Sequence, residues 1–102
     1  MDAIDAAALH RQLDLLDGDE EVLKRIRPVI SELVRNLEAL PCSSFGKGAL
    51  PMFKRCIVRL NSFEEDIETV ERESLLDVIY RLGELVGLTR ESEFAEEWRG
   101  DW

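Results

Sequence analysis

From Asp19 to Leu40 the apolar residues fall at Val22, Leu23, Ile26, Val29, Ile30, Leu33, Val34, Leu37 and Leu40. Steps of three and four place them on one side of an α-helix, whereas a strand would alternate them at every second residue. A helix of this length with one broad apolar face must bury that face against other elements. Asp19 suits the N-cap, and Glu20 and Glu21 suit the positive end of the helix dipole. Pro28 lies inside the pattern. It lacks the amide donor that the preceding turn needs, so the sequence predicts a kink or a break there. Pro41 closes the element.

The remainder reads the same way. About residues 2–17, the stripe Ile4, Ala8, Leu9, Leu13 and Leu16 predicts a first helix, opened by Asp2 and Asp5 and stopped by Gly18. The segment CSSFGKG, residues 42–48, is a loop cluster. A third helix starts near Leu50, with Pro51 tolerated in its first turn. Its buried stripe is Met52, Phe53, Cys56, Ile57, Leu60 and Phe63. A fourth starts near Thr69, whose hydroxyl suits a cap, and buries Leu75, Leu76, Val78, Ile79, Leu82, Leu85 and Val86. Gly87 fits the C′ position. A short fifth helix spans about residues 90–98. No segment alternates at period two for long enough to make a sheet. The expected fold is all-α: a small antiparallel bundle of four to five helices, in a single domain over residues 1–102.

Charge narrows the function classes. The chain is 45% hydrophobic and 34% charged, with net charge −9. Nucleic acids and anionic membranes attract basic surfaces, so direct contact with either is disfavoured. A basic protein partner is favoured, because an acidic field speeds its approach. The first residues carry no basic n-region and no long apolar run, so neither a signal peptide nor a membrane span is expected. Two cysteines, Cys42 and Cys56, make no disulfide framework. Cys56 sits in an apolar pattern and reads as a reduced core thiol. A cytoplasmic location is the simplest expectation.

The charges are segregated. Residues 41–60 have no acid and four bases, Lys47, Lys54, Arg55 and Arg59, whereas residues 61–102 have thirteen acids and four bases. Six of those acids, Glu64, Glu65, Asp66, Glu68, Glu71 and Glu73, crowd into NSFEEDIETVERES, residues 61–74. Two or three acids near a helix start are explained by the dipole, and Glu68 can pair with Arg72 at i, i+4. Six exceed that need, and like charges repel. The run is either a solvated surface or the face that meets a cationic partner. The basic stripe either binds an anion or pairs with these acids, and the second reading is preferred because the two segments would run antiparallel.

Chemical readings of the same residues fail on their motifs. Di-iron bundles need two Glu-x-x-His pairs, and His10 is the chain's one histidine. No EF-hand loop is present, and two cysteines with one histidine fall short of a four-ligand zinc site. No metal or cofactor is therefore expected. No Ser sits in a nucleophile elbow, and His10 reads as a half-exposed helix residue. GKG at residues 46–48 lacks the spacing of a phosphate loop and reads as a link between helices. An enzyme is not expected. The tail EEWRGDW offers two readings. Trp102 folds back over the end of the bundle, or Trp98, Asp101 and Trp102 form an aromatic contact inside an acidic rim.

The run RLNSFEEDIETVERESLLDVIYRLGELVGL, residues 59–88, resembles a pattern in small bacterial proteins that look like the immunity partners of polymorphic toxins, including contact-dependent growth inhibition systems. The matching positions are Asn61, Phe63, Ile67, Glu68, Thr69, Glu71, Arg72 and Glu73. Some have folding explanations: Phe63 and Ile67 as core residues at a helix junction, Thr69 as the cap. The resemblance implies a bacterial antitoxin without catalytic residues. It would occlude a toxin's catalytic domain, with nucleases as the leading class. The expected contact residues are Glu64, Glu65, Asp66, Glu68, Glu71 and Glu73, with Trp98, Asp101 and Trp102 as a secondary contact. The alternative is a self-associating helical adaptor or regulator, and a homodimer is compatible with either reading.

Overall fold

The computed structural model describes residues 6–100, apart from the side chain of Cys42, and residue 102. Among them are four α-helices and no strand: α1 Ala6–Arg11, α2 Glu20–Glu38, α3 Leu50–Leu60 and α4 Thr69–Leu85. Short 3-10 turns fill most of the connections. The bundle is the expected all-α one.

Cross-links give the directions. On α1, His10 Nε2 lies 3.3 Å from Glu38 at the end of α2. Past α1, the Leu15 carbonyl and the Asp17 amide both bond Ser74 Oγ, at 3.1 and 2.8 Å, early in α4. Arg59 at the end of α3 pairs with Glu32 at 2.9 Å, and Asp66 beyond it pairs with Arg25 at 3.0 Å. So α3 runs back along α2. The Gly46 amide, ahead of α3, bonds the Val86 carbonyl at the end of α4, at 2.7 Å. Each helix is therefore antiparallel to the one before it. One buried cluster joins them, with Leu9 from α1, Ile26, Ile30 and Leu37 from α2, Phe53 and Ile57 from α3, and Leu75, Ile79 and Leu82 from α4. Burying each of these side chains is worth about 1.5–3 kcal/mol.

Several expectations need correction. The first helix gives way to a 3-10 turn over Gln12–Leu15, and Asp2, Ile4 and Asp5 lie outside the described residues. Pro28 does not divide α2, which runs unbroken with Pro28 on its exposed side. A long apolar face, locked on both flanks, outweighs the one missing bond. The acids Glu64, Glu65 and Asp66 lie in a turn between α3 and α4, not on a helix. The N-cap of α4 is Glu68, and Thr69 is its first helical residue. The fifth helix is two 3-10 turns, Arg90–Ser92 and Phe94–Glu97, parted by Glu93 in the left-handed region at φ 47°. The basic stripe does not meet the acidic run: Arg59 pairs with Glu32, and the acid Asp66 pairs with Arg25 of α2. Glu68 and Arg72 are joined by a backbone bond of 2.9 Å and not by an ion pair.

The C-terminal end of α4 follows its sequence. Gly87 takes φ 91°, the Leu88 amide reaches back to the Gly83 carbonyl at 2.8 Å, and the Gly87 amide reaches Glu84 at 3.3 Å. These are the two bonds of a Schellman stop. The chain then turns so that Phe94 packs edge-on to Phe53 and Tyr80, with ring centroids 5.0 and 5.1 Å apart.

Candidate functional site

The start of α4 is fastened to the start of α2 by one carboxylate. Glu71 is 4% exposed, and its two oxygens accept the Asp19 amide at 2.8 Å and the Glu68 amide at 2.9 Å. Gly18 makes room for it. The chain there has φ 142°, and a Cβ would stand 2.2 Å from Glu71 Oε2. Asp19 caps α2 as its sequence predicts, accepting from Glu21 N at 3.4 Å. Glu71 is thus a structural clasp, nearly buried, with each oxygen engaged by a backbone amide, and offers little surface to a partner.

Around this clasp the other acids gather. Asp19, Glu65, Asp66 and Glu68 line a cavity of about 550 Å³ with Val22, Thr69, Val70 and the edge of Glu71 itself. Asp66 is partly neutralised by Arg25. Glu65 and Glu68 are exposed and have no cationic partner among the described residues. Val70, 53% exposed, stands among them. Glu64 is half-buried, and its carboxylate faces Gly100 near the C-terminus.

The same side of α4 continues away from the clasp. Thr69, Val70, Glu73, Leu76, Asp77 and Tyr80 follow at spacings that keep them on one helix face. The last four, with Arg90, Glu93 and Glu96, line a second cavity of about 590 Å³. Glu73 and Glu93 are exposed there without cationic partners among the described residues. Asp77 binds Arg81 at 2.9 Å and Arg90 at 3.2 Å. Its partial burial pushes its pKa up, but the two guanidiniums outweigh this and hold the carboxyl below its ordinary value. Burial and the nearby Glu96 push the Tyr80 phenol above its ordinary value. The Ala95 backbone approaches closely enough to lower it a little, without making a full hydrogen bond.

The tryptophans do a different job. Trp102 is 2% exposed and donates from Nε1 to Asn61 Oδ1 at 2.7 Å. The same oxygen accepts the Gly100 amide at 2.8 Å, while Asn61 Nδ2 donates to the Trp98 carbonyl at 3.0 Å. Trp98 is half-buried beside Phe94, with ring centroids 6.4 Å apart. The fold-back reading therefore accounts for Trp102, which is a lid on the core and not an aromatic tip for a partner. Asp101 lies outside the described residues.

Of the expected contact residues, the structure brings Glu65, Asp66 and Glu68 into one cavity and places Glu73 at the rim of the next. It sets Glu64 half-buried and buries Glu71 and Trp102. The sequence reading missed Tyr80, Arg90, Glu93 and Glu96. Tyr80, the chain's single tyrosine, sits seven residues after Glu73 on the same face, and that spacing was the available signal. Among the described residues no group of three or more His, Cys, Asp or Glu side chains is placed to hold a metal ion. No helix among them is long and apolar enough to cross a membrane. No protein-family model, curated protein or solved structure matches this chain.

Proposed function

We propose that this chain is an immunity protein that neutralises a bacterial toxin by covering a basic cleft with the acidic surface at the start of α4. The observation that carries this reading is the division of labour among the acids. Glu71 serves the fold and Asp66 is paired, but Glu65, Glu68 and Glu73 stay exposed without cationic partners among the described residues. Glu68 caps α4 and gains from the helix dipole, but like charges repel, and the grouping of exposed acids around it exceeds what the cap needs. A cationic surface supplies the missing half. Carboxylates also take the place of phosphates in a cleft built for nucleic acid, and Val70 offers an apolar centre within the acidic rim. The resemblance over residues 59–88 points the same way.

The test is growth. The neighbouring open reading frame is induced in bacteria with and without this chain. Arrest by the neighbour alone, relieved by this chain, is the expected result. A harmless neighbour, or no relief, removes immunity to that neighbour.

A further inference from the structure

At the end of α4 remote from the clasp, the chain leaves an apolar groove open. The Gly46 amide bonds the Val86 carbonyl at 2.7 Å and brings the start of α3 against the end of α4. Gly46 and Gly87, at φ 79° and 91°, meet there backbone to backbone, and a Cβ on Gly87 would stand 3.3 Å from the Gly46 nitrogen. Neither glycine has a side chain to fill the space. A groove of about 330 Å³ remains, lined chiefly by apolar groups, among them Leu50, Leu88 and Phe94. Cations stand beside it. Lys47 is on its lip, and Lys54 follows Leu50 by one turn on the same side of α3. Both are exposed and have no acidic partner among the described residues. An apolar groove with free lysines at its edge fits an apolar group carried among acids. This chain displays such a group itself. Val70, 53% exposed, is the most exposed large apolar side chain among the described residues, and Glu68 and Glu73 lie near it without cationic partners.

We propose that this groove seats Val70 of a second copy of the chain, with Lys47 and Lys54 facing Glu68 and Glu73 of that copy. Each copy carries the two halves at opposite ends of α4, so it can seat one neighbour and be seated by another. The contact is head to tail. Burial of Val70 supplies the attraction, and the exposed charge pairs fix the register while adding little. Two copies of net charge −9 repel at long range. At about 0.15 M salt that field is screened beyond about 8 Å, and the groups that face each other decide. One side chain in one groove makes a small interface, which gives weak association and not an obligate dimer. Under the immunity reading a second copy covers Val70 until the toxin takes its place. The contact itself needs no toxin and stands apart from that reading.

The test is sedimentation equilibrium of the whole chain at about 0.15 M salt, from about 10 μM to about 1 mM. The weight-average mass of the parent should rise about 1.5-fold over that range. Val70→Ser removes the knob, and Lys47→Glu with Lys54→Glu reverses the lip of the groove. Each folded variant alone should keep the mass of a monomer throughout. Mixed one to one, the two should associate again, because the first keeps its groove and the second keeps its Val70. The mixture should stop at a pair, since each chain has one working half. Diluting the parent should move backbone amide signals over residues 47–54, 65–73 and 87–94. A parent that stays monomeric at about 1 mM, association that survives either variant, a mixture that stays monomeric, or shifts confined to other surfaces would each overturn the contact. The growth test is independent. Relief of toxicity without association removes the contact alone, and association without relief removes the immunity reading alone.

Discussion

Single residues separate the acids that hold the fold from those that are free. Glu71 accepts two backbone amides from opposite sides of a helix junction. A glutamine has one acceptor oxygen, so Glu71→Gln leaves a buried donor unpaired. The expected cost is about 1–3 kcal/mol in urea unfolding. Glu65→Gln and Glu68→Gln should fall within about 0.5 kcal/mol of the parent, as exposed substitutions do. Equal effects at all three positions would show that Glu71 is not a clasp. Cys56 offers a second test. Its thiol is 4% exposed, and burial pushes its pKa up to about 12, with Arg59 pulling it down and Glu32 pushing it up by less. An unfolded thiol ionises near pH 8.5, roughly. The raised folded value therefore gives stability that is whole below that pH and is lost as pH rises toward the folded value. Tyr80 is shifted in the same direction and adds to the slope. Urea midpoints near about pH 8 and about pH 10 should show the decline, and Cys56→Ala should lessen it. An unchanged slope would mean that the thiol contributes none of it.

Helices were legible wherever an apolar face was long. The nine apolar positions from Val22 to Leu40 fix α2, and eight of them from Val22 to Leu37 are buried on it. Caps were less legible, because they depend on what a side chain meets across the fold. Thr69 has the right hydroxyl, but the chain at Glu68 turns first, and Glu71 reaches back to that amide. The C-terminal stretch misled for a related reason. Its periodicity is short, and packing of Phe94 between Phe53 and Tyr80 bends it at Glu93. Pro28 shows the converse, a local rule overridden by burial along the whole helix. It still withholds a donor from the Lys24 carbonyl, so Pro28→Ala should stabilise the protein by about 1–3 kcal/mol in urea unfolding. No gain would mean that α2 has already adjusted at no cost. Asn61 was quoted in the sequence only as part of a pattern, yet it ties down the last residues with three bonds. Asn61→Ala should loosen Trp102 and move tryptophan emission to the red, with a cost of about 1–3 kcal/mol. Unchanged emission would place the lid's stability elsewhere.

Across the whole molecule the charge pattern was visible before the shape was. The count of acids pointed to a surface, but counting could not sort them. Three of the nine expected contact residues are exposed without cationic partners among the described residues: Glu65 in the turn before α4, Glu68 at its N-cap and Glu73 on the helix. The basic stripe was assigned to the wrong acids because sequence adjacency was taken for contact, whereas Arg25 of α2 reaches the junction first. A long-range field of this kind speeds encounter with a cationic partner and weakens as salt rises. The measurement that bears most directly on the account is growth rescue by a triple reversal, Glu65→Lys with Glu68→Lys and Glu73→Lys, beside the parent chain. The account predicts that the parent relieves the neighbour's toxicity, and that the reversal, folded and expressed to the same level, does not. Full relief by the folded reversal would contradict it, and would move the binding surface away from the acids at the start of α4.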